Sequence, residues 1–308
     1  MPQSRWERRK LVLMLFHTFP LPDLRVLALR LASLLPVFLL VGSAEVRAQD
    51  ALTKVDVPGA TETDCNGVNR AGVVVGFYID SGGVSHAFGL VKGRFHSYDA
   101  PNSKGTLAYG INDHNQVVGW YTDNNFATHG FLLSDNKFTT LDPPGSIQTN
   151  AWSINNAGVI VGAYLDQSHL HHGFTYNGGT YTTYNAPGGI FTELTGINNA
   201  GQMSGIYDDS NGVQHGFALA NEKFFSIDYP GSAWTAAERI SDSGEIVGFY
   251  GSDGLGPFRG YVLIKRAFTT VTFPGASDTR IRGVNKGGTI VGRYTDVSGV
   301  VHGFLGTP

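Results

Sequence analysis

Residues 155–164 read Asn-Asn-Ala-Gly-Val-Ile-Val-Gly-Ala-Tyr, and the pattern Asn-x-x-Gly-x-x-Val-Gly-x-Tyr recurs with small variations along most of the 308-residue chain. The spacing between successive copies is 43 residues four times and then 44 residues. Repeats of this length are supersecondary units that bury their apolar faces against neighbouring copies. The second glycine of the pattern marks six copies, at Gly76, Gly119, Gly162, Gly205, Gly248 and Gly292.

Each copy is predicted to form four short strands, which we label A to D. Apolar residues alternate over short runs that Gly, Asn, Asp and Pro interrupt, which is typical of strands and turns. Six four-stranded units predict an all-β fold, a six-bladed β-propeller, with a linear β-solenoid as the alternative. In the third copy the strands are Thr149 to Ile154, Val159 to Leu165, Gly173 to Tyr176 and Tyr181 to Asn185.

The two ends of the repeat region complement each other. The sixth copy stops after Phe304, without the strand D that other copies have, such as Phe224 to Gly231. Leu52 to Gly59 supplies a matching strand at the other end of the region. We therefore predict that this N-terminal strand completes the last blade and closes the ring, which an open solenoid would not need. In the usual propeller geometry strand A is innermost, and the D–A and B–C loops share one face.

The first 48 residues differ from the repeats and resemble a secretory signal. Basic residues between Arg5 and Lys10 precede an apolar run from Leu31 to Val41, and small residues before Gln49 suit cleavage. We expect a signal peptide at 1–48, or an uncleaved N-terminal anchor, followed by a single propeller domain at 49–308. The expected location is secreted, either extracellular or periplasmic, with membrane contact only through an uncleaved segment.

Charge and cysteine content exclude several classes of function. The first 48 residues hold seven of the 22 basic and three of the 25 acidic residues, so residues 49–308 carry a net charge near −7. A basic stripe for nucleic acid is absent from this sequence. The single cysteine, Cys65, excludes an internal disulfide framework and a cysteine-rich metal site. We predict no cofactor.

Five copies carry a His-Gly-Phe unit in strand C, which in the first copy reads His86-Ala87-Phe88. With Gly-Ile-Asn-x-x-Gly and Val-Gly-x-Tyr, these units resemble the HAF-type extracellular repeat family over the whole of residues 49–308. The resemblance implies a secreted bacterial repeat protein and brings no activity, cofactor or catalytic residue. The fifth copy departs from the pattern, with Ser241 for Asn, Arg259 for His and Thr272 for Asp.

The histidines of these units and the aspartates that end strand B, such as His86 and Asp80, raise the question of a metal site. Packed sheets lie about 10 Å apart, so histidines of different blades are too distant to share a zinc ion, whose ligands lie about 2 Å away. We expect a His–Asp hydrogen bond within each blade and no metal. A B–C loop such as Asp208 to Asn211 offers too few carboxylates for the roughly six to eight oxygens of a calcium site.

Site residues are sought where the copies differ while the scaffold stays constant. The copies differ most in strand A and in the loop before it, where large polar and aromatic residues replace one another. We expect these side chains to converge at the channel mouth on the D–A and B–C face, or alternatively only to fill gaps between blades. The candidate ligand-binding residues are Asp64, Tyr109, Asn150, Trp152, Phe191, Glu193, Trp234, Glu238, Arg280 and Arg282.

Three functions fit this pattern. Aromatic faces beside hydrogen-bonding groups suit sugars, and Trp, Tyr and Arg also anchor protein interfaces, so the sequence favours a non-catalytic protein that binds an extracellular glycan or protein. The first alternative is a glycoside hydrolase or lyase acting on polysaccharide with Asp64, Glu193 and Glu238, although the sequence has no catalytic motif. The second is a structural surface or matrix protein. The sequence does not determine the oligomeric state.

Overall fold

The computed structural model describes residues 52–307, and all regular structure in that range is β-strand. The predicted signal peptide at 1–48 lies outside the described residues. Within 52–307 the description has no gap. Between residues 52 and 307, the chain forms no helix that is long and apolar enough to cross a bilayer.

Twenty-four strands follow one another along the described range. They are β1 (Leu52–Val55), β2 (Glu62–Val68), β3 (Val74–Ile79), β4 (Ser85–Val91), β5 (Arg94–Tyr98), β6 (Ser103–Ile111), β7 (Val117–Asp123), β8 (Thr128–Ser134), β9 (Lys137–Leu141), β10 (Ser146–Ile154), β11 (Ile160–Asp166), β12 (His171–Asn177), β13 (Thr180–Tyr184), β14 (Phe191–Ile197), β15 (Met203–Asp208), β16 (Gln214–Ala220), β17 (Lys223–Ile227), β18 (Trp234–Ile240), β19 (Ile246–Gly251), β20 (Arg259–Ile264), β21 (Ala267–Val271), β22 (Asp278–Val284), β23 (Ile290–Thr295) and β24 (Val301–Gly306).

Antiparallel pairing groups these strands into the six four-stranded blades of a β-propeller. Blades 1 to 5 are β2–β5, β6–β9, β10–β13, β14–β17 and β18–β21, and blade 6 is β22, β23, β24 and β1. A single parallel bridge between Thr128 and Gln148 also links the sheets of blades 2 and 3. In the third copy, β10 to β13 reproduce the four predicted strands to within three residues at each end.

The ring closes as predicted. β1 pairs antiparallel with β24, in a register that places Leu52 opposite Gly306 and Val55 opposite Gly303. Blade 1 then packs on this joint, because a Cβ on Gly303 would meet the sulfur of Cys65 at 2.7 Å. Pairing between the two ends of the repeat region excludes an open solenoid.

One aromatic ring per blade fills the space between neighbouring sheets, as the repeated phenylalanines predict. Blade 5 uses Tyr261 instead, and its buried hydroxyl donates to the Ala236 carbonyl at 3.0 Å. The second glycine of the motif leaves room for this ring, since a Cβ on Gly76 would lie 3.0 Å from the ring of Phe88 and overlap the Asp64 carbonyl. The fully buried phenylalanines are Phe88, Phe131, Phe174, Phe217 and Phe304.

The motif asparagine joins each blade to the next. In the A–B hairpin of blade 3, the Asn155 side-chain oxygen accepts the N–H groups of Ala157 and Val159 at 3.1 and 3.0 Å. Its amide nitrogen donates to the Asn198 carbonyl of blade 4 at 3.2 Å, and Gly158 takes the positive φ that the turn requires. Equivalent bonds form an inner belt around the channel, donated by Asn69, Asn112, Asn155, Asn198 and Asn285. Ser241 has no amide to donate, so the belt is open between blades 5 and 6.

The His–Asp pairs predicted at the B–C corner are present. In blade 1, His86 lies 3.4 Å from Asp80 at the end of strand B and 2.9 Å from Asp99 at the end of strand D. The Asp80 carboxylate also accepts the backbone N–H groups of Gly82 and Val84, which lower its pKa. These contacts indicate that the His86 and Asp80 side chains stabilise the B–C corner. Among residues 52–307, no group of three or more His, Cys, Asp or Glu side chains is arranged to hold a metal ion.

Candidate functional site

Every inner strand has a β-bulge at the same place. In blade 2, for example, the pairing of β6 with β7 shifts between Ala108 and Gly110, which leaves Tyr109 as the bulged residue. Such bulges re-aim side chains. The bulged residues are Asn66, Tyr109, Trp152, Thr195, Glu238 and Arg282. Four of the ten predicted site residues are therefore bulge residues. The alternating pattern of a regular strand does not predict the direction of their side chains.

Arg239 closes the channel at the level of the bulges. Its guanidinium donates to the backbone carbonyls of Tyr109 at 2.8 Å and Trp152 at 2.7 Å, and also to those of Thr195 and Glu238. One side chain thus contacts the inner strands of blades 2, 3, 4 and 5. Burial lowers the pKa of Arg239 to about 10, so it stays charged at neutral pH.

Sequence reasoning missed Arg239, although a signal was present. The residue after the bulge is Gly67, Gly110, Ser153, Gly196 or Gly283 in the other five copies. A small residue is required there because the next inner strand approaches closely, as the 2.8 Å from a Cβ on Gly67 to the Tyr109 carbonyl shows. Arg239 of the fifth copy is the exception to this rule, and a comparison of the copies at this position could have identified it.

On the D–A and B–C side of Arg239, seven predicted residues of the inner strands form a side-chain cluster that we call the upper chamber. Arg282 pairs with Glu238 at 3.1 Å, and Arg293 lies 3.4 Å from both Glu62 and Asp64. The carboxylates of Glu238 and Asp64 raise the pKa of Arg282. The seven residues are Asp64, Tyr109, Asn150, Trp152, Glu193, Glu238 and Arg282.

Several polar atoms of the upper chamber are buried and have no hydrogen-bond partner within the described residues. Tyr109 and Trp152 pack edge to face with ring centroids 4.5 Å apart, yet the indole N–H of Trp152 donates to no protein atom. Buried polar groups are normally paired, so a cluster of unpaired ones is unusual. The unpaired atoms here are Trp152 Nε1, Asn150 Oδ1, Asp64 Oδ1 and Arg282 Nε.

Glu193 is the chamber's unusual carboxyl group. Its side chain is only 13% exposed, and the Nδ1 atom of His171 lies 4.0 Å from its carboxyl group. Burial, followed by the nearby charges of Glu238 and Asp208, raises the pKa of Glu193 to about 8. Burial also lowers the pKa of His171. At neutral pH, Glu193 is therefore mainly a neutral acid that can donate a hydrogen bond.

The other three predicted site residues pack against neighbouring rings. The ring of Phe191 lies 4.7 Å from that of His171. Trp234 packs against Phe258, with ring centroids 4.9 Å apart. Arg280 pairs with Asp278 at 2.9 Å and lies 4.4 Å over the ring of Phe258.

Exposed apolar side chains lie on the face that carries the B–C and D–A loops. Phe126, Leu255 and Val297, in the B–C loops of blades 2, 5 and 6, are 73%, 92% and 89% exposed. Nine of the twelve exposed large apolar residues within 52–307 lie in or beside the B–C and D–A loops. We call these nine residues the apolar rim; they are Val84, Phe126, Ile147, Leu170, Ile190, Val213, Leu255, Val297 and Val300.

Comparison with known proteins supports the fold. No family model and no curated protein matches the chain. The fungal lectin of Aleuria aurantia, described as a six-bladed β-propeller with a novel mode of fucose recognition, superposes with a TM-score of 0.51 at 10% identity over 82% of this chain and 93% of that one. A triple arginine mutant of AofleA from Arthrobotrys oligospora gives 0.50 at 14% identity over 82% and 85%. TolB from Acinetobacter baumannii gives 0.53 at 10% identity over 76% and 63%. At these identities the likeness shows a shared β-propeller fold.

Proposed function

We propose that this protein is a secreted, non-catalytic propeller that binds an extracellular glycan in the upper chamber, and that it belongs to the HAF-type repeat family. The repeat motifs support the family, and the basic and apolar character of residues 1–48 supports export, to the cell exterior or the periplasm. Fucose recognition by the Aleuria aurantia lectin shows that a six-bladed propeller can serve such a role.

The observation that carries this proposal is the set of unpaired polar atoms beside aromatic rings. Trp152 offers an indole N–H, Asn150 and Asp64 each offer an oxygen, and Arg282 offers an Nε–H group. Sugar hydroxyls can both donate and accept, so a single sugar residue can satisfy such a mixed set, while Tyr109 and Trp152 supply apolar surface. Because Arg239 closes the channel below, the chamber suits a chain end or a side branch more than a threaded polymer.

The ion pairs argue for binding over catalysis. Of the three carboxylates that a glycosidase reading would use, Asp64 lies 3.4 Å from Arg293 and Glu238 lies 3.1 Å from Arg282. Glycosidases use a carboxylate and a carboxylic acid on either side of the scissile bond. Glu193 has the raised pKa of such an acid, but its two candidate partners are held by arginines. A hydrolase or lyase remains the alternative that the binding assay must also test.

A protein partner is the second candidate, and the apolar rim favours it. Exposed apolar patches mark protein interaction sites, and the apolar rim places nine exposed apolar residues in or beside the loops of this face. A partner that covers the B–C loops would bury Phe126 and Leu255 while its polar groups enter the chamber.

The test is binding of the purified full chain to a panel of extracellular polysaccharides, with released reducing and unsaturated ends assayed in the same wells. Trp152→Phe keeps a ring but removes the unpaired N–H, and the loss of one hydrogen bond should weaken binding by about 5- to 10-fold. Trp234→Phe is the matched control and should bind as the wild type does, because that ring packs on Phe258. Equal affinity of the Trp152 variant and the wild type would place the site outside the chamber. Released ends would establish an enzyme, and a panel without binding would favour the protein partner.

A further inference from the structure

The opposite end of the channel holds a second concave site, which the proposed function does not use. A cavity of about 80 Å³ opens between the six A–B hairpins, below Arg239. Each blade contributes an apolar wall residue, a residue of the inner belt and a rim residue. The rim residues, in order around the ring, are Arg70, Asp113, Asn156, Asn199, Asp242 and Lys286.

Hydrogen bonds between neighbouring blades also run along this rim. In each of four steps, the backbone N–H of one rim residue donates to the side-chain oxygen of the next. These bonds run from Arg70 to Asp113 (2.9 Å), from Asp113 to Asn156 (2.9 Å), from Asn156 to Asn199 (2.7 Å) and from Asn199 to Asp242 (2.9 Å). We call this chain of bonds the outer belt, and it uses the motif residue that follows the asparagine.

The outer belt is broken at blade 6 for a chemical reason. Lys286 and Arg70 carry no acceptor, so they cannot receive the N–H groups of Asp242 and Lys286 respectively. Within residues 52–307, neither of these two N–H groups has a partner, and neither Arg70 nor Lys286 forms an ion pair. Two backbone donors without a protein partner and two cationic side chains outside any ion pair therefore belong to successive positions along one arc of the cavity rim, although Arg70 also acts on the Asp113 carboxylate, whose pKa it lowers.

We infer that this arc is a binding site for a small anion, namely the carboxylate or sulfate group of a ligand. Unpaired backbone N–H groups at a concave surface can bind anions, and charged side chains strengthen such hydrogen bonds. The flanking acids do not fill the arc. The Asp113 carboxylate accepts from Arg70 N and from the Asn156 amide, and the Asp242 carboxylate accepts twice from Asn199.

The site is independent of the upper chamber. Arg239 lies between the two, bonded to carbonyls of four blades, so a ligand at one end does not reach the other. The protein would thus present a sugar-binding chamber on one face and an anion-binding arc on the other. Failure of either proposal leaves the other standing.

The test is a titration of the isotope-labelled full chain, followed by amide chemical shifts at constant ionic strength. The probes are sodium glucuronate and sodium sulfate, with glucose as the neutral control. We expect saturable shifts of the Asp242 and Lys286 amide signals with one or both anions and none with glucose; the two arms separate carboxylate from sulfate. Shifts that never saturate, or that spread evenly over surface amides, would overturn the inference.

A double variant, R70N with K286N, provides the structural test, because asparagine supplies the two missing acceptors. It should complete the outer belt, retain or raise the melting temperature, and weaken anion binding at least tenfold. The matched control is K137N with K223N, which removes the same charge from exposed positions on the outer strands β9 and β17 and should bind as the wild type does. Equal loss in both double variants would show attraction by net charge without a site. If the asparagine pair fails to fold, K286A alone should still weaken binding, and unchanged binding there would refute the site.

Discussion

Replacement of Glu193 by glutamine should make the protein more stable at alkaline pH, which is unusual for a change in a candidate binding site. The folded protein raises the pKa of this carboxyl from 4.5 to about 8. Between those two pH values, the folded state holds a proton that the unfolded state has released. Stability falls with rising pH wherever the folded state binds more protons, so the Glu193 contribution is full below about pH 4.5 and is lost as pH rises through about 8.

The size of the effect follows from the pKa difference. The rise in pKa from 4.5 to about 8 corresponds to ~5 kcal/mol at about 1.4 kcal/mol per pH unit, an upper limit that partial solvent access reduces, and we expect ~2–4 kcal/mol. Glutamine has nearly the same shape and stays neutral at every pH. The wild type and Glu193→Gln should therefore have similar free energies of unfolding near pH 4.5, and the variant should be the more stable protein at pH 9.

The assay is urea unfolding of both proteins from pH 4.5 to 9, with the free energy of unfolding plotted against pH. Glu222→Gln is the matched control, since Glu222 is exposed in the turn between β16 and β17, and its curve should follow the wild type. Parallel curves for the wild type and Glu193→Gln would refute the reasoning, because they would show that Glu193 ionises in the folded protein as it does in the unfolded chain.

Two further predictions concern the channel and the belts, and both are measured by urea unfolding at neutral pH. Arg239→Gly restores the residue of most other copies but leaves four carbonyls without their donor, so the free energy of unfolding should fall by ~2–5 kcal/mol; an unchanged value would mean that Arg239 does not hold the blades together. Asn155→Asp keeps the two accepting bonds of the hairpin but loses the donor to Asn198 and should cost ~1 kcal/mol, whereas Asn155→Ala loses all three bonds and should cost ~2–4 kcal/mol. Equal losses for the two Asn155 variants would contradict a separate contribution from the inner belt.

The fold could be predicted from the sequence because the residues that determine it lie close together in the chain and recur in each copy. Asn155 and Gly158 form the turn of a hairpin, and Gly162 leaves space for the ring of Phe174. The strand at Leu52 to Val55 is the strand D that the sixth copy lacks, which predicts that the propeller ring closes there. Each of these signals occurs within one copy or at the ends, where a spacing can be counted. The aromatic core and the His–Asp corner were predictable for the same reason.

The candidate site could be predicted only in part, because its geometry depends on contacts between residues of different copies. The pairs Arg282–Glu238 and Arg293–Asp64 join residues of different blades, and Asp64 meets Arg293 only once the ring has closed. The bulge that turns Tyr109 towards the channel is invisible in an alternating pattern. The sequence predicts Phe191 at the channel mouth because the residue at this position differs between copies. Its contact with His171 shows that the copies also differ where side chains pack beside neighbouring strands.

The close packing of the inner strands explains why the position after the bulge is occupied by a small residue in the five copies other than the fifth. At the position after the bulge, a Cβ on Gly196 would lie 3.0 Å from the Cα of Arg239, and a Cβ on Gly110 would lie 2.9 Å from the Trp152 carbonyl. Side chains at these positions would collide with the neighbouring strand, so the five other copies must keep a small residue while one copy supplies the group that fills the centre. The fifth copy thus breaks the repeat at this position, and its guanidinium group bonds to inner-strand carbonyls of four blades.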